Sequence, residues 1–188
     1  VQNSYTNSKV QLMNGVKIDA GSIDIGSIND VRNIGIVFGG SETSKLGITG
    51  MVSYMGGSSK AETLIDDDVT FTARKKVEKV VSEENAAATD DKVISSGAVQ
   101  ISADNKTNVI NLVGDWNASE ASSVGASLGL VSYDVRSVAE ITNQELYADG
   151  FSKETTGSGG TAEQKGSIAA NGVAVKAKTD GIINTFTV

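Results

Sequence analysis

Apolar residues recur at every second position through much of the chain. Val16, Ile18 and Ala20 alternate with polar neighbours, and Ile23, Ile25 and Ile28 follow, with Gly15, Gly21 and Gly26 between and beside them. Period-two apolarity marks strands with one buried face, and glycines at short intervals mark corners. The pentapeptide Val16-Lys-Ile-Asp-Ala20 returns as Val69-Thr-Phe-Thr-Ala73, Val99-Gln-Ile-Ser-Ala103 and Val173-Ala-Val-Lys-Ala177. Gly15, Gly97 and Gly172 precede three of the four copies, themselves preceded by Asn14, Ser96 and Asn171. Each unit therefore reads as a turn followed by a short half-buried strand. Residues 1–13 are polar, with alternating Val10 and Leu12, and read as an entering strand. Further strands, about five residues each, are expected in 34–38, 47–54, 108–113 and 125–133.

A longer repeat organises these strands. Ser41-Glu-Thr-Ser-Lys-Leu-Gly47-Ile-Thr-Gly-Met-Val-Ser-Tyr54, running on to Ala61-Glu62, returns as Ser119-Glu-Ala-Ser-Ser-Val-Gly125-Ala-Ser-Leu-Gly-Leu-Val-Ser-Tyr133, running on to Ala139-Glu140. Ser41 and Ser119, Gly47 and Gly125, and Ala61 and Ala139 are each 78 residues apart, with Val52-Ser-Tyr54 displaced by 79. Such a period predicts about three coils of roughly 20–25 residues plus an insertion, stacked ~4.8 Å apart as a parallel β-solenoid. An antiparallel sandwich or a barrel also alternates and turns, but neither requires long-range repetition. The whole chain, 1–188, is read as one solenoid segment, with repeats at about 14–73, 96–149 and an incomplete 171–188.

Two stretches break the rhythm. Residues 74–92 are charged, with Val77, Val80, Val81 and Ala88 at three- and four-residue spacing, and read as a short helix. Residues 150–166 are rich in Gly, Ser and Thr and read as a flexible loop. Both are expected to project from one corner of the stack, where insertions into repeats often bind.

Composition narrows the function classes. Aromatic residues make up 5% of the chain against 21 Gly, which suits thin stacked layers better than a deep core. There is no Cys, so no disulfide or thiolate metal site, and no His, so the commonest metal ligand and general base is missing. A net charge of −7 argues against nucleic acid or an anionic membrane as partner. No apolar run approaches the ~18 residues of a membrane span. Val1 in place of an initiator Met reads as the start of an excised or processed fragment.

The string Ala103-Asp-Asn-Lys-Thr-Asn-Val-Ile-Asn-Leu-Val-Gly114, followed by Ser122-Ser-Val-Gly-Ala-Ser-Leu-Gly-Leu-Val-Ser-Tyr133 and Ala139-Glu-Ile141, resembles the repeats of large bacterial filamentous adhesins. These are the filamentous-haemagglutinin-like and leukotoxin-like exoproteins. The resemblance covers most of 14–188 outside the two insertions and is one of pattern; Leu46-Gly47-Ile-Thr49 departs from it. It implies a right-handed parallel β-helix, exported by two-partner secretion or as an autotransporter passenger with a dedicated outer-membrane secretion partner. It implies a secreted or cell-surface location and attachment to a host cell-surface protein or glycan, as adhesive module or as stalk. It names no ligand.

Individual side chains add little chemistry. Asp66-Asp67-Asp68 is the densest acidic run, but the Gly-rich nonapeptide of calcium-binding solenoids is absent, so a solvated corner is expected. Glu62 with Asp66–Asp68, or Glu140 with Glu145, has the residue types of a glycosidase pair, yet such a site needs an aromatic-lined groove, and the chain has one Trp and four Tyr. Tyr54 and Tyr133 read as repeat-equivalent rings covering the strands they end. Trp116, after Gly114-Asp115, reads as a half-buried corner residue unless its indole is exposed as a binding anchor. Gly39-Gly40 and Gly56-Gly57 lack the Gly-Lys-Ser/Thr of a phosphate loop, and without His there is no ordinary serine triad. No catalytic, metal or cofactor-binding residue is assigned, and no cofactor; ligand-binding residues stay open. The alternative reading is a β-helical carbohydrate-active protein, a polysaccharide lyase or tailspike-like domain. It needs aligned acids beside basic residues, of which Arg74-Lys75 is the notable pair. A membrane-acting toxin passenger has no amphipathic segment to support it. The fragment is expected to be elongated and monomeric, with ladder ends prone to end-to-end association.

Overall fold

The computed structural model describes residues 1–81, 89–142, 144–148 and 166–188. The described residues form strands and no helix: β1 (Gln2–Leu12), β2 (Lys17–Ala20), β3 (Ile23–Thr43), β4 (Leu46–Ile65), β5 (Thr70–Ala73), β6 (Lys75–Val81), β7 (Thr89–Ser96), β8 (Ala98–Ser119), β9 (Ser122–Ile141), β10 (Gln144–Ala148), β11 (Gly166–Ala170) and β12 (Gly172–Thr187). A first long sheet has the order β1-β4-β9, a second the order β12-β8-β3, and a short sheet the order β10-β11-β5-β2. Every ladder in these three sheets is parallel. The chain visits them in the same sequence three times: first long sheet, short sheet, second long sheet. The all-β, parallel-sheet expectation holds.

The size of a circuit differs from the sequence reading. Gln2 pairs with Met55 and Lys17 with Thr70, an offset of 53, whereas Ile23 pairs with Val99 and Leu46 with Ser122, an offset of 76. The period that resembled three coils is one circuit, lengthened where β6 and β7 interrupt it. The strands explain this: β3, β4, β8 and β9 run 20 to 22 residues, not five. Gly and Ser lie inside them instead of ending them, because glycine makes room for a facing side chain. A Cβ on Gly35 would lie 2.5 Å from the sulfur of Met55, and one on Gly39 2.3 Å from that of Met51. The apparent repeat of 78 is two residues out of register, so Gly47 pairs with Ser123 and Gly125 with Thr49.

The pentapeptides pair as their sequences suggest, but in two sheets. Ile18 and Ala20 lie beside Phe71 and Ala73 in the short sheet, while Val173, Val175 and Ala177 lie beside Val99, Ile101 and Ala103 in the second long sheet. The expected helix in 74–92 is replaced by the antiparallel pair β6–β7, with Lys79 opposite Asp91, Glu78 opposite Lys92 and Val77 opposite Val93. β-branched valines and opposite charges facing across a ladder favour the strand pair. Residues 82–88 of that insertion, and the loop expected in 150–166 up to its last residue, lie outside the described residues.

The two long sheets face each other, and their interior has two zones. Next to the short sheet, Ile23, Ile65, Val69, Phe71, Ala73, Val99, Ile101, Ile168 and Ala170 form one buried apolar cluster. Further along, buried Ser, Thr and Asn side chains hydrogen-bond across the gap. Ser59 Oγ donates to Asn105 Oδ1 at 2.7 Å and Ser53 Oγ to Asn111 Oδ1 at 2.8 Å. Thr63 Oγ1 bonds Ser27 Oγ at 2.9 Å. Buried polar groups are tolerated when so paired.

One row of this interior shows how the strands interleave. Asn29, Asn105 and Thr179 are ladder neighbours on β3, β8 and β12. Asn29 Nδ2 reaches Thr6 of β1 at 3.3 Å and Ser59 of β4 at 3.0 Å. Asn105 Nδ2 reaches the Ser59 carbonyl of β4 at 2.6 Å and the Arg136 carbonyl of β9 at 3.0 Å. β3 therefore sits level with the gap between β1 and β4, and β8 with the gap between β4 and β9.

Candidate functional site

Alternation decides what the long sheets show to solvent. Outward positions of β3 carry Asp24, Ile28, Asp30 and Arg32 near the short sheet, then Ile34, Ile36 and Phe38 further out. The neighbouring outward positions continue the change. Ile34 lies beside Ile110, and Ile36 beside Leu112 and through it Phe186. Ile34, Ile36, Phe38, Trp116 and Phe186 are all exposed.

Two aromatic rings close this surface reciprocally. Phe38 is paired with Gly114, and Gly40 with Trp116. A Cβ on Gly114 would lie 2.0 Å from the Phe38 ring, and one on Gly40 2.9 Å from the Trp116 ring. Each ring thus lies against a glycine of the next strand, with Phe38 and Trp116 both 62% exposed. Parallel sheets ordinarily have both faces covered, so a bare apolar outer face on one is a feature in need of an occupant.

The first long sheet has a second exposed apolar face, chiefly aliphatic, from Leu46, Ile48 and Val52 of β4 and Val124, Leu128 and Leu130 of β9. Near the short sheet the outer faces are mostly charged, with Ile28 exposed among the charges. There Asp30, Lys106 and Asp180 form one alternating row. Lys178 holds its proton above the ordinary lysine value, through the hydrogen bond to Asp180, that carboxylate's charge and the charge of Asp104.

The residues singled out in the sequence are scattered. Asp66, Asp67 and Asp68 form the turn between β4 and β5, with Asp68 in the left-handed region at φ 56°. The Asp66 carboxylate accepts from Gln11 Nε2 at 2.9 and 3.0 Å, and Asp67 Oδ1 has no hydrogen bond. No group of three acidic ligands able to hold a metal occurs among the described residues. Glu62 lies beside Lys9 and Val138, and Glu140 beside Leu64, so the two are not ladder partners. The side chain of Glu145, on β10, lies outside the described set. Arg74 is paired with Asp19 at 2.6 Å.

Tyr54 and Tyr133 are not equivalent. Tyr54 points outward beside Leu130, whereas Tyr133 points inward beside Gly57 and hydrogen-bonds Asn33 of β3 and the Ser4 carbonyl of β1. Gly57 makes that crossing possible, since a Cβ there would meet the Ser4 carbonyl oxygen at 1.9 Å and the Tyr133 ring at 3.0 Å. Trp116, expected as a half-buried corner residue, instead lies inside β8 and is exposed, because it falls on an outward position of a strand longer than the sequence reading allows. Its neighbours Phe38, Ile36 and Leu112 were not singled out, although their place on outward positions was readable from alternation once the strand was known to be long.

Comparison with protein-family models, with curated proteins and with solved structures finds no match to this chain.

Proposed function

We propose that this chain is a right-handed parallel β-solenoid segment of a secreted or surface-displayed bacterial adhesin, and that it attaches to a host cell-surface protein or glycan through the outer face around Phe38 and Trp116. The observation that carries the reading is that pair of exposed rings on a bare parallel sheet, ringed by Ile34, Ile36, Leu112 and Phe186. Aromatic anchors with an aliphatic surround are what binding energy concentrates on in protein interfaces, and flat rings also stack on sugar faces. The three passes through the same sheets in the same order support the solenoid part of the proposal. Export through an outer-membrane partner comes from the sequence resemblance.

The test is binding of the purified chain to epithelial cells and a glycan panel, beside Trp116→Ala and Phe38→Ala. Both side chains are exposed, so circular dichroism and melting should stay at wild type. Each variant should lose about tenfold or more in affinity, on the order of 1.4 kcal/mol. Wild-type affinity in both variants would remove the site, and a wild-type chain that binds nothing would make the segment stalk.

A further inference from the structure

The outer side of the first long sheet changes character part-way along. On β4 the outward positions pass from Leu46, Ile48, Val52 and Tyr54 to Ser58, Lys60 and Glu62. On β9 they pass from Val124, Leu128 and Leu130 to Asp134 and Arg136. The change comes at one level on both strands, between the pair Tyr54–Leu130 and the pair Ser58–Asp134. Inward positions at the apolar level are partly polar: Thr49 Oγ1 donates to Asp115 Oδ2 at 2.6 Å and Ser53 Oγ to Asn111 Oδ1 at 2.8 Å. The aliphatic side chains of this stretch therefore sit on the side of the sheet that has no layer over it. Strands added to the sheet would widen that face without covering it, since they join at its edges. Residues 149–165 lie between β10 and β11 at the short sheet, about 36 Å along β9 from Leu130, and a stretch of that length, out and back, spans about 30 Å.

We propose that the aliphatic face of β4 and β9 is a dimerisation surface, covered by the same face of a second copy of this chain. Three observations choose that occupant. The first is charge. No outward position from Leu46 to Gly56, or from Ser122 to Ser132, carries a charged side chain. Apposing two identical copies there brings no like charges together, although the chain as a whole carries −7. The second is area. Leu46, Ile48, Val52 and Tyr54, with Val124, Leu128 and Leu130, leave roughly 700 Å² bare, close to the ~800 Å² per partner that a stable pairing buries. The third is relief. Gly50 and its ladder neighbour Ala126 form a low row between the Ile48–Val124 row and the Val52–Leu128 row, about 7 Å from each.

A copy turned about a two-fold axis that lies between the sheets and across the strands runs its strands antiparallel. Its Ile48–Val124 row then enters the Gly50–Ala126 trough, and the axis returns the same contact the other way round. The two sheets pack face to face ~10 Å apart, as in a sandwich. The Phe38 and Trp116 face belongs to the other long sheet, so the dimer carries two of them, on opposite sides.

Sedimentation velocity of the full chain over a rising concentration series tests this. Monomer should give way to dimer and to nothing larger. Leu128→Asp, on the exposed face, should weaken dimerisation tenfold or more with the circular dichroism spectrum unchanged. Gly50→Leu is the sharper variant. Within its own chain a Cβ there meets only the Ala126 carbonyl oxygen, at 3.9 Å, so the fold accepts a side chain. Leucine adds apolar surface yet fills the trough. It should weaken the dimer severalfold or more, where unspecific stickiness would grow stronger. Phe38→Ala should leave the dimer as it is. A chain that stays monomeric at sub-millimolar concentration, a dimer unchanged by Leu128→Asp, or tighter association in Gly50→Leu would overturn the proposal. Growth past dimer that both variants share would place the contact at the ladder ends and overturn it. So would binding to phosphatidylcholine vesicles, lost in Leu128→Asp, by a chain that does not dimerise, which would give the face to lipid.

Discussion

Asn105 shows how the narrow part of the molecule is held. Its amide donates to the Ser59 and Arg136 carbonyls and its oxygen accepts from the Ser59 and Thr107 hydroxyls, at 2.6 to 3.3 Å. Removing it strands partners from two strands of the facing sheet in a site closed to water. Asn105→Ala should cost about 2–4 kcal/mol in urea unfolding, while Lys106→Ala, one residue on and exposed, stays within about 0.5 kcal/mol. Gly57 is constrained differently: an added methyl meets backbone, which cannot swing aside. Gly57→Ala should push β1 away and cost about 2 kcal/mol or more, seen as a lower melting temperature and faster proteolysis near residue 12. Neither residue was legible beforehand. An asparagine inside and one outside a strand have the same letter, and the offset of 79 that aligns Tyr54 with Tyr133 is not the offset of 76 that the ladder uses.

At the scale of elements, alternation predicted strands and the strands are there. Their lengths differ from the sequence reading because Gly and Ser lie within the strands and do not end them. In a closely spaced pair of sheets some of the glycines are spacers, Gly39 opposite Met51 and Gly35 opposite Met55, and only the facing strand reveals that. The insertion after β5 was read as helical from three valines at helical spacing, but Val77 and Val93 and the charges around them find one another across a hairpin. Such pairing is invisible to a window that reads one segment at a time. Replacing residues 74–96 by a short Gly-Ser turn should therefore leave the far-ultraviolet spectrum free of any lost helical signal. It should keep the parallel ladders, with melting lowered by a few degrees at most, since β3 and β8 pair without it. Loss of cooperative unfolding would show that the hairpin is part of the core. The exposed face was half legible: Trp116 stood out as a rare residue, whereas Phe38 beside it emerged only from the pairing of Phe38 with Gly114.

At the scale of the whole molecule, the interior is polar over much of its length while aliphatic and aromatic residues face out. Ser27, Ser53, Ser59, Thr63, Asn105, Thr107 and Asn111 are buried where a globular domain of this size would hold Leu and Phe. Unfolding then hydrates more newly bared amide and hydroxyl, relative to hydrocarbon, than an all-apolar interior would. Hydrating polar surface lowers the heat capacity and hydrating hydrocarbon raises it. Scanning calorimetry should give a heat-capacity increment below the roughly 2.3 kcal/mol/K that 188 residues at the ordinary per-residue value would contribute. The curve of stability against temperature should be correspondingly flat, so that the chain loses little of its stability on warming.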